Sequence, residues 1–261
     1  GMRLRRLLSV AILALAGVAG PVQAEDAGMD AGFKDWAVGI LAADWRAGDG
    51  TPINAFENAR RALADGFVAA GFNPSNITSL SLRPRELGGF SLTSREVFAA
   101  FETQTQAAKA GCLLYFTSHG MPEGMVMGRE GYLTPAQLNA LVQKWCGERP
   151  TVVVVSACFS GVFLPELAAP NRLVMSAARP DRSSFGCSPD ADYPYFDSCI
   201  LDSLPLADDF MHLASLSRRC VATRERAEHL WPPSEPLTQV GADVEDFFIF
   251  QNFVHLAPSG G

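Results

Sequence analysis

Residues 151–161, TVVVVSACFSG, place four valines in succession before a run of small residues. Such a continuous β-branched run is a strand buried on both faces, because a half-exposed strand would alternate apolar and polar positions. A second run, CLLYFTSHG at 112–120, has the same character. Strands of this kind belong to a parallel sheet covered by helices, and the intervening segments supply them. Apolar positions at helical spacing (Phe56, Ala59, Leu63, Phe67, Ala70) predict a helix over 55–70 closed by Gly71. Thr93 or Ser94 caps a second helix reaching about Ala108, and Thr134-Pro135 starts a third reaching about Trp145. Strands are expected at 36–43, 77–82 and 172–177, a hairpin over 121–133, and a short helix at 163–168. The fold class is therefore α/β, a three-layer sandwich with a mainly parallel central sheet and a small hairpin after the histidine strand.

Beyond Ala178 the pattern weakens. Residues 179–195 are polar and read as a long loop. A helix interrupted near Arg219 is expected over 207–231, an extended piece after Pro232-Pro233, and a closing helix over 243–254.

At the other end, Arg3, Arg5 and Arg6 precede an apolar stretch and Val22-Gln23-Ala24, the pattern of a secretory signal peptide over 1–24. Residues 25–34 read as a flexible leader and 35–257 as one domain. An exported protein, secreted or periplasmic, is the expectation. The apolar stretch is short for a membrane span and no cysteine follows the cleavage site, so no stable membrane anchor is expected. Losing the three arginines takes the net charge from −7 to −10, which argues against nucleic acid as a partner. Six cysteines in such a chain raise the question of disulfides. Cys112 and Cys146 both precede predicted parallel strands and can be neighbours, and two of Cys187, Cys199 and Cys220 can pair.

Both buried strands end on a reactive side chain, His119 and Cys158. The carboxyl ends of parallel strands are where open sheets place their crevices. A thiol attacks a carbonyl as thiolate and needs a base beside it, so this pair is a candidate nucleophile and base. Gly120 and the Ser160-Gly161 turn can present backbone N–H groups to an oxyanion. Neither serine near Cys158 sits in a G-x-S-x-G frame, and there is no C-x-x-C, H-E-x-x-H, P-loop or dinucleotide glycine motif, so no metal or cofactor is expected.

The FTSHG and SACFSG segments together resemble the His-Gly and Ala-Cys signature of legumains, caspases, gingipains and the glycosylphosphatidylinositol transamidase. The legumain family of asparaginyl endopeptidases, in its bacterial branch, is the most similar. SAARPDRSSFGCS, residues 176–188, is similar to the TAANPRESSYACY-type stretch of that family. The resemblance implies a caspase-like fold and a cysteine endopeptidase acting on peptide or protein substrates. It implies His119 as general base and acid, Cys158 as the residue acylated, and the Gly120 and Cys158 amides as oxyanion hole. It also implies an asparagine near the histidine, matched by Asn54 with Asp44 as a second candidate; a plain helix N-cap is the alternative for Asn54. For the pocket it implies Ser183 and Ser184 as a wall and Asp197 as an acid. Two positions depart from the family: Ser156 stands where legumains carry an acid before Ala-Cys, and Phe56 where they carry an arginine. Strict asparagine preference is thus not expected. A binding module on the same fold, a transpeptidase and a small-molecule amidase are the competing readings.

Overall fold

The computed structural model describes residues 32–255. The expected signal peptide and most of the leader lie outside the described residues, as does the end of the expected domain. Phe33, assigned to the leader, is instead buried against Trp36, Phe72, Phe210 and Phe253, so the folded body includes it.

The strands and helices run β1 (Trp36–Ala42), α1 (Ala55–Ala69), β2 (Ile77–Ser81), α2 (Ser94–Ala107), β3 (Gly111–Thr117), then three short strands β4 (Gly120–Met121), β5 (Gly124–Val126) and β6 (Tyr132–Leu133). They continue with α3 (Pro135–Cys146), β7 (Thr151–Ser156), α4 (Phe163–Leu167), β8 (Arg172–Ser176), α5 (Tyr195–Ser203), α6 (Phe210–Ala227), β9 (Leu237–Val240) and α7 (Glu245–Phe250). The main sheet has the order β2-β1-β3-β7-β8-β9, parallel except for β9, and the short strands form an antiparallel sheet β4-β5-β6.

The pleat sorts the core into two layers. On β3, Leu113 and Tyr115 join the apolar cluster with α1, α5 and α6, while Cys112, Leu114 and Phe116 join the cluster with α2, α3 and α4. The same alternation on β7 sends Val152 and Val154 one way and Val153 and Val155 the other. Being apolar at every position is what lets these strands be wetted on neither face. Helix starts follow local chemistry: Thr93 and Thr134 each form a capping box, with Glu96 and Gln137 respectively.

Three expectations in the last third need correction. Residues 195–203, left without a helix by the polar composition around them, form α5. The helix expected to break near Arg219 runs without interruption from Phe210 to Ala227, because its buried side chains keep one stripe across that point. The closing helix is only Glu245–Phe250, and the extended piece before it pairs with β8 as the antiparallel edge strand β9. Cys112 pairs with Cys146, joining β3 to α3, and Cys199 with Cys220, joining α5 to α6; Cys158 and Cys187 are free.

Candidate active site

β3 and β7 lie side by side in parallel with Thr117 opposite Ser156. His119 and Cys158 each follow two residues beyond that pair, so equal overhang brings them to the same end of the sheet. The Ser118 amide donates to the Ser156 carbonyl at 3.1 Å, carrying the alignment past the end of the ladder. Gly120 is seated so closely on the Cys158 carbonyl that a Cβ there would collide with it. This close approach is what the glycine after the histidine provides. No hydrogen bond joins His119 to Cys158 among the described residues, an ordinary condition for a catalytic pair without substrate.

His119 is held from two sides. Its Nε2 lies 2.5 Å from the Arg46 carbonyl. A carbonyl only accepts, so Nε2 carries the hydrogen and Nδ1 is left with the lone pair that can take a proton. The Phe56 ring meets the imidazole edge-on at 5.0 Å and 80°. Arg46 is fixed in turn by the buried Asp44, whose Oδ1 accepts from the Trp45 amide (2.7 Å), the Arg46 amide (3.2 Å) and Arg46 Nε (2.9 Å). Arg46 Nη2 also donates to the Gly128 carbonyl at 2.7 Å, tying this loop to the small sheet.

Around Cys158, the thiol donates to the Ser184 carbonyl at 3.5 Å and Sγ receives the Ser184 amide at 3.3 Å. Phe159 follows with φ of 59°, in the left-handed region where a bulky residue costs of order 1 kcal/mol. Its amide donates to the Arg182 carbonyl at 2.8 Å, and the buried Ser160 hydroxyl accepts from the Ala177 amide at 3.0 Å. These bonds hold the turn against its strain. The Cys158 amide has no acceptor among the described residues. The Val126 amide bonds to the His119 carbonyl (2.9 Å), which makes Gly120–Met125 a pair that exchanges no bonds and turns the Gly120 amide away from β5. Both are available as oxyanion donors.

Beneath the site, Asp197 from the first turn of α5 is fully buried. It accepts the Tyr115 hydroxyl and the Thr117 hydroxyl, each at 2.5 Å, and Ser156 bonds to it as well. Burial pushes its carboxyl up to about 6, against the lowering effect of the three hydroxyls. Burial, followed by the neighbouring Asp197, pushes the Tyr115 phenol well up. Ser183 is exposed and Ser184 half-buried, directly beside Cys158.

Two sequence-derived site residues lie elsewhere than expected. Asn54 stands at the N-cap position of α1 but its side chain makes no capping bond and no hydrogen bond to His119; its Oδ1 accepts from Arg83 Nη2 at 3.1 Å. Phe56 has no exposed surface with which to meet a substrate and packs on the imidazole instead. Asp44, the second candidate for the residue near the histidine, acts on it only through Arg46. The contribution of Arg46 carried no sequence signal, since any residue offers a carbonyl.

The peptidase C13 family model, that of the legumains, matches residues 104–212, a span that includes His119, Cys158, Ser184 and Asp197. The fold is similar to that of the crystal structure of caspase-1 from Spodoptera frugiperda, with a TM-score of 0.58 and 13% identity over 80% of this chain and 87% of that one. No curated protein matches the sequence. The family match over this part of the chain supports a cysteine-type peptidase, a hydrolase similar to the legumains, and the fold is caspase-like.

Proposed function

We propose that the chain is an exported endopeptidase that cleaves peptide bonds in proteins through Cys158 and His119. The observation that supports it most is the strand register, which gives the two residues equal overhang at one end of the sheet. In this reading Cys158 Sγ attacks the scissile carbonyl while His119 Nδ1 takes the thiol proton. The oxyanion is received by the Gly120 and Cys158 amides. His119 then gives its proton to the leaving amine, and a water activated by the same nitrogen hydrolyses the thioester. Ser183 and Ser184 border the substrate chain, and Asp197, buried beneath the pocket for the residue before the cut, supports it through its bonds to Ser156, Thr117 and Tyr115.

An unfolded protein such as reduced casein, with mass spectrometry of the new termini, tests the reading. Internal cleavage by the wild type and none by Cys158→Ala supports an endopeptidase. Turnover of small amides without any protein cleavage would replace it with an amidase, and new peptide bonds to an added amine with a transpeptidase. The export half rests on residues 1–24 and is tested by finding a mature chain that begins at Glu25.

A further inference from the structure

Four of the six cysteines are consumed in two disulfides, and the two left free belong to one neighbourhood. Cys158 Sγ receives the amide of Ser184, and Cys187 follows three residues later on the same segment. Cys187 packs against Ala42, Ile53, Ala55 and Phe56, and Phe56 is the residue whose ring holds His119. Its side chain therefore borders the same space that the nucleophile and its base face. Burial pushes the Cys187 thiol well up, with the charges of Cys158, Asp197 and Asp44 as smaller causes in the same direction. Gly186, immediately before it, has φ of 95°, a conformation glycine adopts without steric cost and one that sets the direction in which Cys187 leaves the Ser184 segment.

We propose that Cys187 is a redox partner of Cys158, joining it in a reversible disulfide that withdraws the nucleophile until a thiol reductant restores it. The inference rests on Cys158 being the reactive thiol of the proposed mechanism. The oxidant is a small disulfide, RSSR. The Cys158 thiolate attacks one of its sulfurs, forming Cys158–S–S–R and releasing one thiolate, which takes up the thiol proton as RSH. Cys187, giving up its proton, then attacks the Cys158 sulfur and expels RS⁻, which takes up that proton as the second RSH. Two protein thiols are oxidised by two electrons and RSSR is reduced to two thiols. Disulfides form and persist where such oxidants are present, and this chain carries two of them. The raised Cys187 thiol keeps its proton until the mixed disulfide is in place, so it resolves the reaction and does not initiate it.

The test treats the reduced full-length protein with bis(2-hydroxyethyl) disulfide, blocks remaining thiols with N-ethylmaleimide, and reads intact mass and non-reduced peptide maps. With Cys112–Cys146 and Cys199–Cys220 kept intact by mild reduction, the expected product is lighter by two hydrogens than the starting dithiol and carries no maleimide. It also yields a cross-linked peptide pair containing Cys158 and Cys187, and dithiothreitol reverses it. Cys187→Ser should instead stop at the mixed disulfide on Cys158. A wild type left with a mixed disulfide on Cys158 and maleimide on Cys187, or with maleimide on both, overturns the proposal; this readout needs no variant to fold. Electrophile labelling of the reduced protein is scored separately. Cross-linking without labelling would count against the peptidase mechanism alone, and labelling without cross-linking against the redox pair alone.

Discussion

A methyl group at position 120 would meet the carbonyl of Cys158, so Gly120→Ala forces either the histidine strand or the nucleophile turn to move. The expected result is a folded protein, less stable by about 1–3 kcal/mol. Its Cys158 should react with peptidyl electrophiles at least tenfold more slowly; unchanged reactivity would show that this close approach is irrelevant to the site. His119→Ala should slow the same reaction by about 10²–10⁴-fold, the usual contribution of a positioned base, while leaving thermal stability nearly untouched. At this scale the sequence singles out His119 and Cys158 as candidates because each lies two residues past the end of a buried strand, and Gly120 because it follows the histidine directly. What stayed hidden is the part played by main chain and packing. The carbonyl of Arg46 and the edge of Phe56 orient the imidazole, and neither role leaves a residue-type signature. Asn54 illustrates the reverse: its position suggested a cap or a catalytic contact, and the bond it makes is to Arg83, which arrives from a different loop.

Among the elements, the buried strands were read correctly because apolar runs bounded by glycine leave little choice of structure. Thr93 and Thr134 announced their helices by capping chemistry that is local in sequence. The last third was harder, since α5 begins inside a polar stretch and owes its helical state to tertiary contacts: Phe196, Cys199 and Ile200 fill the layer against the sheet while Asp197 reaches under β3 and β7. Strand β9 is likewise defined by its partner β8 and has no periodicity of its own to show. The Cys199–Cys220 link between α5 and α6 stabilises this late-arriving pair. Its removal by a double Cys→Ser change should lower unfolding free energy by about 2–4 kcal/mol in urea titrations. A loss near zero would mean that packing alone holds α5 in place. Phe56→Ala, by emptying a fully buried site on α1, should cost about 3–5 kcal/mol. It should also lower the labelling rate, whereas Phe56→Leu retains most of both.

For the whole molecule, Asp197, fully buried beneath the candidate site, gives the fold a pH dependence. Its folded pKa, about 6, lies above the ordinary carboxyl value, so the folded state holds the proton more tightly than the unfolded chain does. The stabilising contribution is therefore complete below about pH 4 and is lost as pH rises through about 6, a change of order 2–3 kcal/mol. Melting temperatures measured from pH 4 to 8 should fall across that window for the wild type, beyond any trend shared with Asp197→Asn. Parallel curves for the two proteins would assign the dependence to other groups. A cysteine peptidase whose floor is firmest in mild acid is thereby expected to be best ordered there. Both chain ends of the described region close the opposite side of the molecule, where Phe33 and Phe253 pack on Phe210.

The proposed mechanism stands on Cys158 as a nucleophile served by His119. Its most direct measurement is intact-mass spectrometry of the reduced protein after exposure to peptidyl acyloxymethylketones varied at the residue before the warhead, alongside Cys158→Ala and His119→Ala. A single adduct is expected on the wild type, mapped to Cys158, with none on Cys158→Ala and a greatly slowed adduct on His119→Ala. An adduct on Cys187 in place of Cys158, or no adduct with any peptide from acid to neutral pH, would contradict it.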